Sequence, residues 1–208
     1  RFLVDPLAGQ KTGWFFDHRD NRARLARLCA GKRVLDLFAY TGAWSLPAAL
    51  AGAAAVECVD ASAPALALAA ENARLNGVSK ALSFTCADVF EFLRMARDDR
   101  SRYEVIVLDP PAFIKRKKDA VKGLEAYRRL NQAALQVLTP GGVLVSASCS
   151  YHLSRDALHD LLRAAARHLD RHLVFIGQGG QGADHPVHPA IPETDYLKAF
   201  FCQAGSSL

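Results

Sequence analysis

Short apolar runs alternate with helical patterns along this chain from Arg33 onward. Runs of strand length and character fall at 33–38, 54–60, 81–87, 103–109, 143–148, 173–177 and 196–202. Between them the spacing of apolar positions predicts helices at 43–51, 64–76, 89–97, 119–138 and 154–169. This alternation predicts an α/β fold with a mainly parallel sheet covered on both faces. The punctuation agrees. Ser62 can cap the helix at 64–76, and Pro64 suits its first turn. Gly77 ends that helix, and Pro140-Gly141-Gly142 turns out of the long helix into the next strand. Ser154 opens the last long helix, with Asp156 near its positive end. Segment 17–29 reads as an amphipathic helix ending at Gly31. A long loop from Gln178 past Pro192 precedes the final strand; loops of this length are often functional, and this one lets the strand insert antiparallel.

The most telling junction is Val34-Leu-Asp-Leu-Phe-Ala-Tyr-Thr-Gly42, a buried strand passing through a tight turn into a helix. That is the ligand-binding corner of an open α/β sheet. The turn has neither G-x-G-x-x-G for a pyrophosphate nor G-x-x-x-x-G-K-[ST] for a triphosphate. A nucleotide-like cofactor without bridging phosphates fits, and S-adenosylmethionine is the candidate. An Asp stands at or just past the end of four successive strands: Asp36, Asp60, Asp88 and Asp109. Asp60 can accept both ribose hydroxyls and Asp88 the adenine amine, with Val89 and Phe90 against the adenine face. Asp36 and the turn Phe38–Ala43, with Tyr40, Thr41 and Gly42, would surround the methionine part. One such Asp alone is more often a helix cap; four in register favour a site.

Composition narrows the partners. The 208 residues suit one domain, 1–208, in which 1–32 is a lead-in segment and helix. No apolar run approaches the roughly 20 residues that span a bilayer, and no signal peptide is visible. The chain begins at Arg1 rather than Met and reads as a fragment. A net charge of +5 leans modestly toward an anionic partner. Five cysteines without a C-x-x-C pair argue against a disulfide framework or zinc site. Cys58, Cys86 and Cys202 read as small core residues, and a reducing cytoplasm is the expected setting. No metal spacing is found, no membrane partner is expected, and homodimerisation is left open.

The chemistry gathers after the fourth strand. Asp109-Pro110-Pro111-Ala112-Phe113 makes a stiff rim, because proline fixes φ and restrains its predecessor. Such a rim can hold a planar amine-bearing base, with Phe113 offering an apolar face. Seven basic residues follow within 15 positions: Lys115, Arg116, Lys117, Lys118, Lys122, Arg128 and Arg129. A charge run is usually a solvated face, but its place beside the site mouth favours phosphate contacts, and hence nucleic acid. Ser148-Cys149-Ser150 ends the adjacent strand. Cytosine C5 is a poor nucleophile; a thiolate adding to C6 makes it enamine-like, so Cys149 is the candidate covalent catalyst. His185 is as readily a turn residue as a pocket residue.

The chain resembles class I S-adenosylmethionine-dependent methyltransferases, and more narrowly the bacterial large-subunit (23S) ribosomal RNA cytosine-C5 methyltransferases. The resemblance rests on Gln10-Lys-Thr-Gly-Trp-Phe-Phe-Asp-His-Arg-Asp-Asn-Arg22, on Val34 to Gly42, on Asp109 to Phe113, on Ser148-Cys-Ser150, and on Asp184-His-Pro186 with Tyr196-Leu-Lys-Ala-Phe200. It implies a Rossmann-like, seven-stranded, mostly parallel sheet with an antiparallel last strand and helices on both faces. It also implies N-terminal RNA-binding PUA and linking domains outside this chain. By position it implies a cofactor site of Asp36, Tyr40, Thr41, Gly42, Asp60, Ser62, Asp88 and Asp109. Phe16, Asp17, Arg19 and Arg22 would approach that site, with Arg22 on the cofactor, Cys149 as nucleophile and Asp109 beside it in catalysis. The expected product is S-adenosylhomocysteine. Ala112 stands where many RNA cytosine-C5 methyltransferases carry a second cysteine, so the group that removes the C5 proton is unassigned. A sister group methylates guanine and lacks the strand-five cysteine. Methylation of guanine at N2 or N7, of adenine or another nucleic-acid base on the same scaffold, or of a small molecule, and a non-enzymatic S-adenosylmethionine- or RNA-binding module, are the competing readings.

Overall fold

A computed structural model describes residues 1–7, 9 and 13–205. Gln10, Lys11 and Thr12 of the opening motif therefore lie outside the described residues. The element order is α1 (Arg19–Ala26), β1 (Arg33–Leu37), α2 (Ser45–Leu50), β2 (Ala55–Asp60), α3 (Ala63–Leu75), β3 (Leu82–Cys86), α4 (Val89–Asp98), β4 (Tyr103–Leu108), α5 (Ala120–Val137), β5 (Leu138–Ser148), α6 (Arg155–His168), β6 (His172–Gly179) and β7 (Lys198–Gly205). The seven strands form one sheet in the order β3-β2-β1-β4-β5-β7-β6. β1 to β5 pair in parallel, and β7 lies antiparallel between β5 and β6.

The central strands are apolar throughout because both of their faces are covered. Side chains alternate across a strand, and the two cores divide accordingly. Ile106 and Leu108 of β4 face α4, α5 and α6, packing with Leu93, Leu130, Leu158 and Phe200. Val105 and Val107 of the same strand face α1, α2 and α3, packing with Leu25, Ala48, Leu66 and Phe201. The expected caps are present: Ser62 Oγ accepts from Ala65 N at 3.3 Å and Ser154 Oγ from Ala157 N at 3.1 Å.

Three departures from the sequence expectation bear on the architecture. The lead-in helix divides into a 3-10 turn at Phe16–His18 and the shorter α1. β5 begins at Leu138, five residues early. Pro140-Gly141-Gly142 bulges out of the pairing with β4: Leu138 pairs with Tyr103, and Val143 with Val105. Arg171 fixes that bulge by donating to the carbonyls of Leu138 at 2.9 Å and Thr139 at 3.0 Å. The last strand starts at Lys198, because Tyr196 is drawn off by a hydrogen bond to Asp17. Cys58 and Cys202 are core residues, but Cys86, ending an edge strand, is exposed.

The turn after β1 carries the backbone constraint that shapes the site. Phe38 and Tyr40 hold positive φ (64° and 48°), as does Gly42 at 83°. Positive φ at bulky residues is costly and marks functional turns. A Cβ on Gly42 would stand 2.5 Å from Leu46 Cδ1 and 3.4 Å from Ala69 Cβ. Gly42→Ala is therefore expected to destabilise the protein by at least ~1 kcal/mol through strain and crowding. Urea unfolding measures this; an unchanged midpoint would show that the turn relaxes freely.

Candidate active site

A cavity of about 470 Å³ opens at the carboxyl ends of the parallel strands, where β1 and β4 mark the reversal of strand order. Its wall includes Arg22, Phe38, Tyr40, Asp60, Ser62, Asp88, Val89, Asp109 and Cys149 among the expected residues. It also includes Phe15, His18 and Trp44, which sequence reasoning did not single out.

Asp109, the first residue past β4, is the polar centre. Its Oδ2 accepts from Trp44 Nε1 at 2.9 Å, and its Oδ1 lies 3.2 Å from His18 Nε2. Burial opposes ionisation here. The neighbouring His18, the Trp44 indole and the Arg22 guanidinium outweigh it and hold the carboxyl below the ordinary carboxylate range. His18 is itself buried, and its Nδ1 lies 3.1 Å from Asn21 Nδ2. The same amide nitrogen donates to Gly180 O at 2.9 Å. With Asn21 as donor, the hydrogen-bond pattern assigns the imidazole proton to Nε2, directed at Asp109. A readable signal for His18 existed: Asp17, His18, Asn21, Arg22 and Leu25 recur at helical spacing and are all buried. A polar stripe on a buried helical face is costly unless each group has a partner, so it points to a site.

Arg22 supplies the positive charge. It is 5% exposed, donates from Nη2 to the Phe15 carbonyl, and lies with Cζ 5.0 Å from the Trp14 ring centroid. Burial lowers its pKa, against the raising effects of Asp109, Asp17 and Asp36. Its Nη1 is buried without a hydrogen-bond partner. An orphaned guanidinium nitrogen on a cavity residue is a ready partner for a ligand carboxylate.

Asp60 braces two turns at the rim. Oδ2 accepts from Tyr40 N at 2.9 Å and Oδ1 from Ser62 N at 2.8 Å. Asp88 lines the cavity but also caps α4: its Oδ1 accepts from Phe90 N at 2.9 Å and Glu91 N at 3.1 Å. The capping role that is common for a lone Asp therefore holds at this position as well.

Several expected residues do not reach the cavity. Asp36 lies inside β1, fully buried, and takes the Ser45 hydroxyl on Oδ2. Thr41 is buried, with its carbonyl accepting from Asn72 Nδ2 at 3.3 Å. Gly42 is occupied in the approach of α2 to α3. Phe90 points toward α5, with Arg129 over its ring. Phe113 packs on Tyr127 (ring centroids 4.8 Å apart) and, across 6.4 Å, on Phe38, thereby backing the wall. Lys115, Arg116, Lys117 and Lys118 are exposed beyond the rim, and Arg116 is paired with Asp119 at 3.1 Å. His185 pairs with Asp184 in its own turn at 3.3 Å.

Cys149 is partly exposed, immediately beyond β5. Its neighbours form a fixed polar frame. Ser148 Oγ donates to Tyr127 Oη at 2.8 Å, Ser150 Oγ lies 2.9 Å from the same oxygen, and Ser150 N donates to Ser148 Oγ at 3.1 Å. Among the described residues no cluster of metal-ligating side chains occurs, and no helix is long and apolar enough to cross a membrane.

Comparison with known proteins agrees with this geometry. A family model described as S-adenosylmethionine-dependent methyltransferase matches residues 1–199. Ribosomal RNA large subunit methyltransferase I of Shewanella denitrificans is 42% identical over 199 residues, covering 95% of this chain and 50% of that protein. Its Klebsiella pneumoniae counterpart is 42% identical over 205 residues, covering 98% and 51%. The chain thus spans about half the length of the curated relatives it matches. Among solved structures, SMU.776 complexed with SAH superposes with a TM-score of 0.83 at 26% identity, over 92% of this chain and 50% of that one.

The carboxyls of Asp36 and Asp109 are shifted in opposite directions. Burial pushes the Asp36 carboxyl up to about 7, against the hydrogen bond from Ser45 and with the charges of Asp109 and Asp60 adding to the rise. Its Oδ1 has no hydrogen-bond partner, as suits a protonated group. A pKa raised by folding means that stability is full below the unfolded value of about 3.9 and is lost as pH rises toward 7. Asp36→Asn removes this titration and keeps an acceptor for Ser45. The stability difference between variant and wild type should therefore shift in the variant's favour by a few kcal/mol between pH 5 and pH 8. Urea midpoints at the two pH values measure this; a constant difference would mean Asp36 does not titrate in that window.

Proposed function

The chain belongs to the S-adenosylmethionine-dependent methyltransferase family, and on that premise we propose that it methylates C5 of a cytosine in large-subunit ribosomal RNA through a covalent Cys149 adduct. The observation that carries this reading is the presence of Cys149, Asp109 and Arg22 on one cavity wall. The residues fit the cofactor: the orphaned Arg22 Nη1 suits its carboxylate, Asp60 its ribose hydroxyls, and Asp88 and Val89 its adenine. When bound, S-adenosylmethionine supplies an electrophilic methyl group. The solved structure complexed with SAH supports the class of cofactor.

The protein's part is to make cytosine C5 reactive. The Cys149 thiolate adds to C6, forming the S–C6 bond and leaving C5 enamine-like. After methylation, loss of the C5 proton expels the cysteine and restores the aromatic ring. Asp109, held ionised by His18, Trp44 and Arg22, accepts from the exocyclic amine and fixes the base against the stiff Pro110-Pro111 rim. Phe113 and Tyr127 back that rim. The RNA assignment is supported by the names of the relatives and by the exposed Lys115, Lys117 and Lys118 just beyond Phe113.

Nucleoside mass spectrometry tests the reading on unmethylated ribosomal RNA incubated with S-adenosylmethionine and the protein. Wild type is expected to yield 5-methylcytidine and Cys149→Ala none; a methylated purine that survives Cys149→Ala would overturn the cysteine mechanism. A separate expectation concerns the cofactor. Arg22→Met should weaken S-adenosylhomocysteine binding about tenfold or more, the weight of one lost charge-assisted hydrogen bond. Titration calorimetry measures this, and unchanged affinity would remove Arg22 from the cofactor site.

A further inference from the structure

Lys198 is the first residue of β7 and pairs across the ladder with Ser148. It is 4% exposed, an uncommon state for an ammonium group. Its Nζ donates to Ser150 O at 2.7 Å. Strand pairing thus ties it to the residue before Cys149, and the side-chain bond ties it to the residue after. The charge sits against the one segment of the wall that carries a thiol.

We propose that Lys198 is a positioning residue that keeps Cys149 as a thiolate. The thiol proton leaves to solvent, and the sulfur anion stays beside the buried ammonium, whose remaining protons are not taken by Ser150 O. Electropositive, partly exposed surroundings of this kind lower thiol pKa values and raise the thiolate fraction at neutral pH. The groups facing this pair are Tyr127 from α5, Arg155 from the start of α6, and Tyr196 and Asp195 from the loop before β7. Neither tyrosine contributes charge at neutral pH: burial pushes both phenols above their ordinary value. Burial lowers the Lys198 ammonium to about 8, with Asp195 and Cys149 opposing the fall and Arg155 adding to it. At neutral pH it therefore remains mostly charged.

The catalytic meaning of this coupling rests on the function proposed above, but its test needs no RNA and no cofactor. Ultraviolet thiolate absorbance is titrated in wild type, with Cys149→Ser subtracted, and Cys149 alkylation by iodoacetamide is followed against pH in a Cys86→Ser background. The wild-type midpoint should fall at least about one unit below the ordinary thiol value of ~8.5. Lys198→Met should raise it by about a unit, slowing alkylation at neutral pH roughly tenfold, and Lys198→Arg should recover most of the loss. A wild-type midpoint at or above ~8.5 overturns the proposal without any lysine variant, should Lys198→Met fail to fold. An unchanged midpoint in a folded Lys198→Met overturns it as well. A shifted midpoint together with full methylation by Cys149→Ala would keep the coupling and discard the covalent mechanism instead.

Discussion

The carboxylate of Asp109 is the contact on which the cavity depends. It stands just past β4, at the point where strand order reverses, and receives Trp44 from the turn leading into α2 and His18 from the lead-in segment. Three stretches far apart in sequence thus converge on two oxygens. His18 is oriented in turn by Asn21, and Asn21 by Gly180 O. That last link needs close approach: a Cβ on Gly179 would fall 1.8 Å from Asn21 Oδ1. A glycine at the end of β6 therefore helps set the tautomer of a histidine at the floor of the cavity, through two hydrogen bonds and no charge.

Environment divides the labour among the acidic residues. Asp36 is fully buried and Asp109 partly so, and of the two only Asp109 has donors on both oxygens. Desolvation wins at Asp36 and donors win at Asp109, so one carboxyl is held toward its neutral form and the other toward its anion. Only the anion faces the cavity. Asp60 and Asp88 use carboxylate oxygens on backbone amides first, which makes rigid the turns on which any ligand would rest. A carboxylate oxygen has more than one lone pair, so bracing a turn does not remove it as an acceptor.

Those distinctions explain what was legible in the sequence. The sheet was, because successive residues such as Val105 and Ile106 are both apolar and serve opposite faces. The corner after β1 was in part, because Phe38 and Tyr40 of its turn and the aspartates at three strand ends, Asp60, Asp88 and Asp109, line the cavity, whereas Asp36 lies inside β1. The differing roles of those aspartates were not, since burial and donors come from other segments. His18 is 91 positions from Asp109, a separation no local pattern spans. Cys86 sits in an apolar run that happens to be an edge strand, and edge position is a property of sheet order. The bulge at Pro140 to Gly142 reads as a plain turn until Arg171, on the far side of α6, is seen to hold the carbonyls of Leu138 and Thr139 that lead into it.

The reversed direction of β7 has a consequence for chemistry. In a parallel sheet every strand delivers its last residue to the ligand-binding edge, and its first residue to the opposite one. An antiparallel strand inverts this, so β7 brings its opening residue, Lys198, and the preceding Tyr196 and Leu197 to the cavity side. The loop before it is anchored to the lead-in segment by Gly182 N donating to Asp17 O at 2.9 Å and by Tyr196 Oη donating to Asp17 Oδ2 at 2.8 Å. Leu197 then closes the wall beside Cys149. A parallel seventh strand would have placed Lys198 at the far end of the sheet from Ser148 and Ser150. The strand inversion, which looks like a topological detail of the sheet edge, is what brings a buried cation against the backbone on either side of Cys149.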